Sequence, residues 1–222
     1  MKLAEAEIAL RESLALRLQL KDEPPAHFEM SLGSTYAELG DIYLQESRLD
    51  EAQSSFQSSI SILREMREPE AVLAREPYAF ALTKLAGLYV VSGHWPEARP
   101  LLIEADGIYG KLAGPPGGQS EYGFAITINS AQLAHADLAL GRESDAREDA
   151  HKAITTARQI KTTNPGYNPD LFVTILLDQL YVLVAAHEES SKICKLANEG
   201  ASRASSAYAL DAAKKAASST CR

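Results

Sequence analysis

Cysteine is scarce in this chain. Two in 222 residues make no disulfide framework. Cys194 falls on an apolar stripe and Cys221 is the next-to-last residue, so both are expected to be reduced thiols of a cytoplasmic protein. Runs of positive charge are equally scarce, with nothing beyond Lys214-Lys215. With a net charge of −8 and a pI near 5.2, the chain has no basic stripe to displace counterions from nucleic acid. The same balance disfavours an anionic membrane surface. No segment approaches the roughly 18 apolar residues of a spanning helix, and the region after Met1 reads as an amphipathic helix rather than a signal peptide.

Catalytic and ligand motifs are missing too. The five histidines, His27, His94, His135, His151 and His187, never stand four apart and form no His-Glu-x-x-His, so metal-ligand spacing is absent. The glycine-rich stretch Gly114 to Gly118 is followed by Gln119-Ser120, not by Gly-Lys-Ser, and reads as a linker rather than a phosphate cradle. No serine sits in a Gly-x-Ser-x-Gly elbow. The acids Asp50-Glu51, Glu143 to Asp149 and Glu188-Glu189 fall where helices begin, where they complement the helix dipole without catalysis. The expectation is a chain with no enzymatic activity, no cofactor and no metal.

What the chain does have is a recurring phrase. One copy runs Tyr36, Leu39, Gly40, Tyr43, then Ala52, Phe56 and Ser59. A second is Leu82, Leu85, Ala86, Tyr89, Ala98, Leu102, Ala105, and a third is Ser130, Leu133, Ala134, Asp137, Ala146, Ala150, Ala153. A weaker fourth is Thr174, Leu177, Asp178, Tyr181, Ser190, Cys194, Ala197, and Ala6, Leu10 and Ser13 supply half a copy at the start. The steps between Ala6, Ala52, Ala98, Ala146 and Ser190 are 46, 46, 48 and 44 residues. Fixed-period self-similarity means a stacked array. Within each copy, three- and four-residue steps mark two amphipathic helices. Gly40 and Ala52 let their backbones approach, Gly93 and Gly141 serve as left-handed helix stops, and Pro96 suits a first helical turn.

The order aromatic, Leu-Gly, Tyr, Ala, Phe, small residue resembles the tetratricopeptide repeat (TPR), with Tyr36 in place of the usual Trp. The resemblance covers residues 1–200. The long period and the linkers Lys21 to His27, Arg67 to Pro77, Leu112 to Ser120 and Thr162 to Pro169 are similar to the long-linker repeats of kinesin light chain. It implies an all-α fold, a right-handed α-α superhelix (solenoid) of stacked antiparallel helix hairpins. Its parts would be a half repeat at 1–20, repeats near 28–66, 77–112, 120–161 and 169–200, and an Ala/Ser-rich helix or tail over 201–222. Ala201 to Ala217 is the candidate cap of the terminal repeat and Ser218 to Arg222 is expected to be disordered. Because the chain opens inside a repeat, it is expected to be a fragment of a longer protein.

The resemblance also implies a groove lined by the first helix of each hairpin. The residues so assigned are Phe80, Lys84, Val91, Ile128, Asn129, Gln132, His135, Phe172, Ile175, Gln179 and Leu183. The subgroup that clamps a terminal carboxylate uses Lys, Arg and Asn. Ala37, Asp41 and Gly87 stand at those places here, with only Lys84 basic, so that function is not expected. The apolar C-terminal half of the groove suits an amphipathic helix or an extended apolar peptide. The leading expectation is a non-catalytic scaffold binding a partner protein's helix or peptide. The alternative is a ligand-sensing regulatory domain that closes around a signalling peptide or a small apolar molecule. Self-association through open solenoid ends is a further expectation compatible with the first.

Overall fold

A left-handed residue recurs at Ser47, Gly93, Gly141 and His187, with φ of 61°, 75°, 72° and 57°. Each ends one helix and admits the next by the same pair of bonds. The following amide donates to the carbonyl five residues back: Arg48 to Tyr43, His94 to Tyr89 and Arg142 to Asp137 at 2.8 Å, and Glu188 to Leu183 at 2.9 Å. The left-handed residue itself donates three back, for example Ser47 to Leu44 at 3.0 Å. These two bonds satisfy carbonyls that a helix end would otherwise orphan. Glycine accepts the conformation freely at two of the turns, while Ser47 and His187 hold it at a cost.

The computed structural model describes residues 2–19, 25–66, 71–114, 122–160, 169–204 and 206–221, and every regular element among them is an α-helix. The chain divides into two compact units, Met1–Tyr109 and Gly110–Arg222. The first holds α1 (Lys2–Gln19), α2 (Pro25–Gln45), α3 (Leu49–Arg64), α4 (Ala71–Val91) and most of α5 (Trp95–Ala113). In it α2 pairs with α3, α4 packs on both, and α1 lies on α2. Gly40 and Phe56 make the close approach that the phrase predicts, with Phe56 fully buried. Ala52, Ala98, Leu102 and Ala105 are likewise buried without residual exposure. At each turn of this unit the side chain after the left-handed residue returns to the one five positions earlier. The Arg48 guanidinium lies 4.3 Å from the centre of the Tyr43 ring, and His94 meets Tyr89 edge-on at 6.1 Å.

The second unit holds α6 (Gly123–Ala139), α7 (Glu143–Gln159), α8 (Pro169–Ala185), α9 (Ser190–Arg203) and α10 (Ala207–Thr220). Here α6 pairs with α7, α8 packs on α7 and α9, and α10 folds back onto α9 and α8. Its core joins Ala146, Ala150 and Ile154 of α7 to Val173, Leu176 and Leu183 of α8. Arg142 repeats the role of Arg48, this time beside the buried Asp137 carboxylate at 3.9 Å.

Several expectations are corrected here. The segment Arg67 to Pro77 is not all linker: α4 begins at Ala71 and carries Pro77 inside it, while 67–70 lies outside the described residues. Helix α2 begins at Pro25, before the end of the expected Lys21 to His27 linker, and α5 runs to Ala113. The tail is helical as far as Thr220, with Ser206 capping α10 by accepting the Ala209 amide at 3.1 Å. Above all, Cys194 and Cys221 are not free thiols. They form a disulfide with Cα atoms 5.0 Å apart, because the returning α10 brings Cys221 against α9.

Candidate interaction site

In the first unit the site is built on α2 and α4. Lys84 forms an ion pair with Asp41, whose other carboxylate oxygen accepts from Gln45 at 2.8 Å. The Lys84 ammonium also lies 5.1 Å from the centre of the Phe80 ring, within cation–π range. Phe80 is half-buried, and the rest of its ring stays open to solvent beside this polar arrangement. Val91, the last residue of α4, is 85% exposed. The structure therefore brings Phe80 and Lys84 together and leaves Val91 open to solvent.

In the second unit the corresponding face belongs to α6 and α8. His135 Nε2 lies 3.0 Å from both oxygens of Asp178, so that nitrogen carries the proton. The His135 ring also stacks on Tyr181, with centroids 6.5 Å apart and planes 21° from parallel. Tyr181 is 68% exposed, and one turn on Val184 is half exposed. Phe124, Ile128 and His135 follow at helical spacing along α6; Phe124 is exposed, whereas Ile128, Gln132 and His135 are half-buried. His135–Asp178 repeats the placement of Asp41–Lys84. In both, a residue two positions before the turn-anchoring carbonyl meets one five positions before the next such carbonyl. The order of charges is reversed, acid first in one unit and base first in the other.

Five of the expected groove residues are not available to a partner. Phe172 and Ile175 belong to the core of the second unit, and Asn129, Gln179 and Leu183 have no exposure. The Arg203 guanidinium covers the Phe172 ring at 4.8 Å. Gln179 instead steadies the face from beneath, its amide donating to Asp178 at 2.5 Å. The exposed positions of α8 include Thr174, Asp178 and Tyr181, three residues that the repeat phrase had assigned to packing. Counting back from the turn would have found them. Leu183, not Tyr181, corresponds to Tyr43, Tyr89 and Asp137, and the fourth copy is displaced by two residues.

Two further arrangements stand apart from these faces. In the first unit an open cleft of about 500 Å³ lies between α3, α4 and α5, lined by Ile60, Arg64, Leu85, Tyr89 and Leu101 among others. Beside it Arg64 Nε donates to the Tyr78 hydroxyl at 2.7 Å, and that hydroxyl donates to Glu104. Burial, then the bond to Glu104, pushes the Tyr78 phenol up to about 12. In the second unit His151 Nε2 lies 2.7 Å from Glu188, and Arg147 donates to the Ala186 carbonyl, tying α7 to the turn after α8. Glu188 is held down to about 2, chiefly by His151 and then by the Glu189 amide. Among the described residues no group of three or more His, Cys, Asp or Glu is placed to hold a metal ion. No described helix is long and apolar enough to cross a membrane.

No protein-family model matches the chain, and neither does any curated protein. Solved structures do. BtubC (BKLC) from P. vanneervenii superposes over 99% of this chain and 75% of its own, with a TM-score of 0.68 at 16% identity. The chain has the fold of the TPR-like repeats. The nearly identical TPR-like repeats of a Podosopora anserina putative kinesin light chain superpose over 99% of this chain and 89% of their own, with a TM-score of 0.56 at 18% identity. A point variant of those repeats gives 0.57 at 19%, over 89% of this chain and 84% of its own. In TPR-like terms α2, α4, α6 and α8 are first helices and α3, α5, α7 and α9 second helices. The two ion pairs thus link consecutive first helices within each unit.

Proposed function

We propose that this TPR-like chain is a non-catalytic interaction module, and that the first-helix face of α6 and α8 takes a helix or peptide of a partner protein. One observation carries the reading. Tyr181 and Val184 project from an ordered helix into solvent beside the His135–Asp178 pair, with Phe124 and Ile128 on the neighbouring helix. Aromatic and aliphatic anchors around a fixed polar pair are what a recognition surface needs. The expected groove residues are accordingly redrawn as two separate faces, one of Phe80, Lys84 and Val91 within the first unit and one of Ile128, Gln132, His135, Asp178, Tyr181 and Val184 within the second. Protein partners follow from the fold by analogy, since a fold by itself assigns no function. The cytoplasmic expectation rested on two free thiols, and the Cys194–Cys221 bond withdraws that support.

The test compares affinity capture from native lysate by the parent chain and by its Tyr181→Asp/Val184→Asp variant. Both substituted side chains are exposed, so the far-UV circular dichroism should be unchanged. A partner retained by the parent and released by the variant supports the face. Equal retention by a folded variant refutes it.

A further inference from the structure

Helix α10 is a weakly built element. Its described core contacts are alanines: Ala209 and Ala213 are buried among Leu176, Leu196 and Ala197, with Ala216 and Ala217 packed at the edge. Gly200 of α9 lies beneath this contact: an added Cβ would stand an ordinary 3.6 Å from Ala213 of α10 and a tighter 3.0 Å from Leu176 of α8. A helix of 14 residues is marginal by itself and relies on docking. Alanine side chains supply little apolar area for that purpose. The far end of α10 is nevertheless fixed, because Cys221 follows its last residue and bonds to Cys194 on α9. That bond lies at the surface: Cys221 is exposed, Cys194 half-buried, and the exposed Asn198 amide sits 3.5 Å and 3.8 Å from the two sulfurs.

We infer that Cys194–Cys221 is a redox latch which decides whether α10 stays docked over α8 and α9. The reaction is thiol–disulfide exchange with a low-molecular-weight thiol or dithiol. A reductant thiolate attacks one sulfur of the bond and the other leaves as a thiolate, which takes a proton. A second thiolate then displaces the protein from the mixed disulfide. The chain gains two electrons and two protons, and the reductant leaves as its disulfide. In the oxidised state, an α10 that lifts away remains a loop closed at both ends. In the reduced state it is free at one end, so lifting gains the entropy of an unclosed segment. The latch is independent of the first-helix interaction face: Tyr181 and Val184 are exposed while α10 is docked.

The experiment is hydrogen exchange of the full chain read by mass spectrometry, after equilibration in oxidised glutathione or in dithiothreitol, with Cys221→Ser in the oxidising buffer alongside. For a bond joining residues 27 apart, reduction should lower protection across α10 on the order of a hundredfold. Protection across α6 and α7 should stay unchanged, and Cys221→Ser should match the reduced chain. Equal α10 protection in both buffers would overturn the latch, as would two alkylatable thiols after the oxidising step. Loss of protection throughout the second unit would show a structural staple instead, and also overturns it. So would a Cys221→Ser chain that retains full α10 protection.

Discussion

Replacing Gly40 with alanine should destabilise the first unit, although the same change in an open helix stabilises it. Gly40 lies within α2, where an alanine ordinarily gains about 1 kcal/mol in helix propensity. An added Cβ would stand 2.7 Å, 2.8 Å and 3.0 Å from three atoms of the Phe56 ring. That ring has no exposed surface into which to move. Overpacking costs about 1–3 kcal/mol, and three such close contacts with a ring that cannot move place this case in the upper part of that range, about 2–3 kcal/mol; less the propensity gain of about 1 kcal/mol, the net effect is a loss of about 1–2 kcal/mol. Gly107 is the control: it lies inside α5 with nothing within 4 Å of a built Cβ, so alanine there should gain about 0.5–1 kcal/mol. The single tryptophan, Trp95, opens α5 in the first unit, so its fluorescence follows thermal unfolding there. At about 4 °C per kcal/mol for a unit of this size, Gly40→Ala should lower Tm by roughly 4–8 °C and Gly107→Ala raise it by roughly 2–4 °C. Phe56→Leu in the Gly40→Ala background should recover part of the loss, a coupling of about 1 kcal/mol. A Gly40→Ala chain that melts higher than the parent would refute the close approach on which the repeat packing rests.

Glu188 ties stability to pH. Its folded pKa of about 2 lies below the ordinary value of 4.5, so its contribution is present above pH 4.5 and lost as pH falls towards 2. Discounted for solvent screening, the contribution is about 1 kcal/mol. The urea midpoint of Glu188→Gln should therefore lie below the parent's at pH 6, with the gap narrowing through pH 4 and pH 3 and closing only near pH 2; a gap that widens on acidification would contradict the sign. The Asp41–Lys84 pair is one-quarter to one-third exposed, so Lys84→Ala should cost less than about 1 kcal/mol, and 1 M salt should remove the difference. A cost above 2 kcal/mol at high salt would mean that Lys84 contributes through packing on Phe80 rather than through charge.

How far the sequence could be read depended on contrast along each helix. In the first three copies the residues assigned to packing, such as Leu39, Leu85, Leu133, Phe56 and Ala150, are buried, and the second helices α3 and α7 carry a clear apolar stripe. Helix α8 is the most apolar of the first helices: Leu171 to Leu183 is apolar on nearly every side, so periodicity cannot choose a face. The small residue Ser190 then serves as the marker of the fourth copy. One extra residue before α9 made that marker misleading, and Tyr181 and Leu183 exchanged roles. The left-handed positions would have served better, since they step by 46, 48 and 46 residues from Ser47 to His187. Two of the four are not glycine, however, so composition does not announce them. The disulfide was hidden for a different reason. Its closure depends on α10 turning back after Arg203, and alanine-rich helices state their propensity in sequence but not their docking site. The additional cover also explains α8 itself: a first helix packed against α6, α7, α9 and α10 must be apolar on most sides, and among its described residues exposure is confined to Thr174, Asp178, Tyr181, Val184 and Ala185.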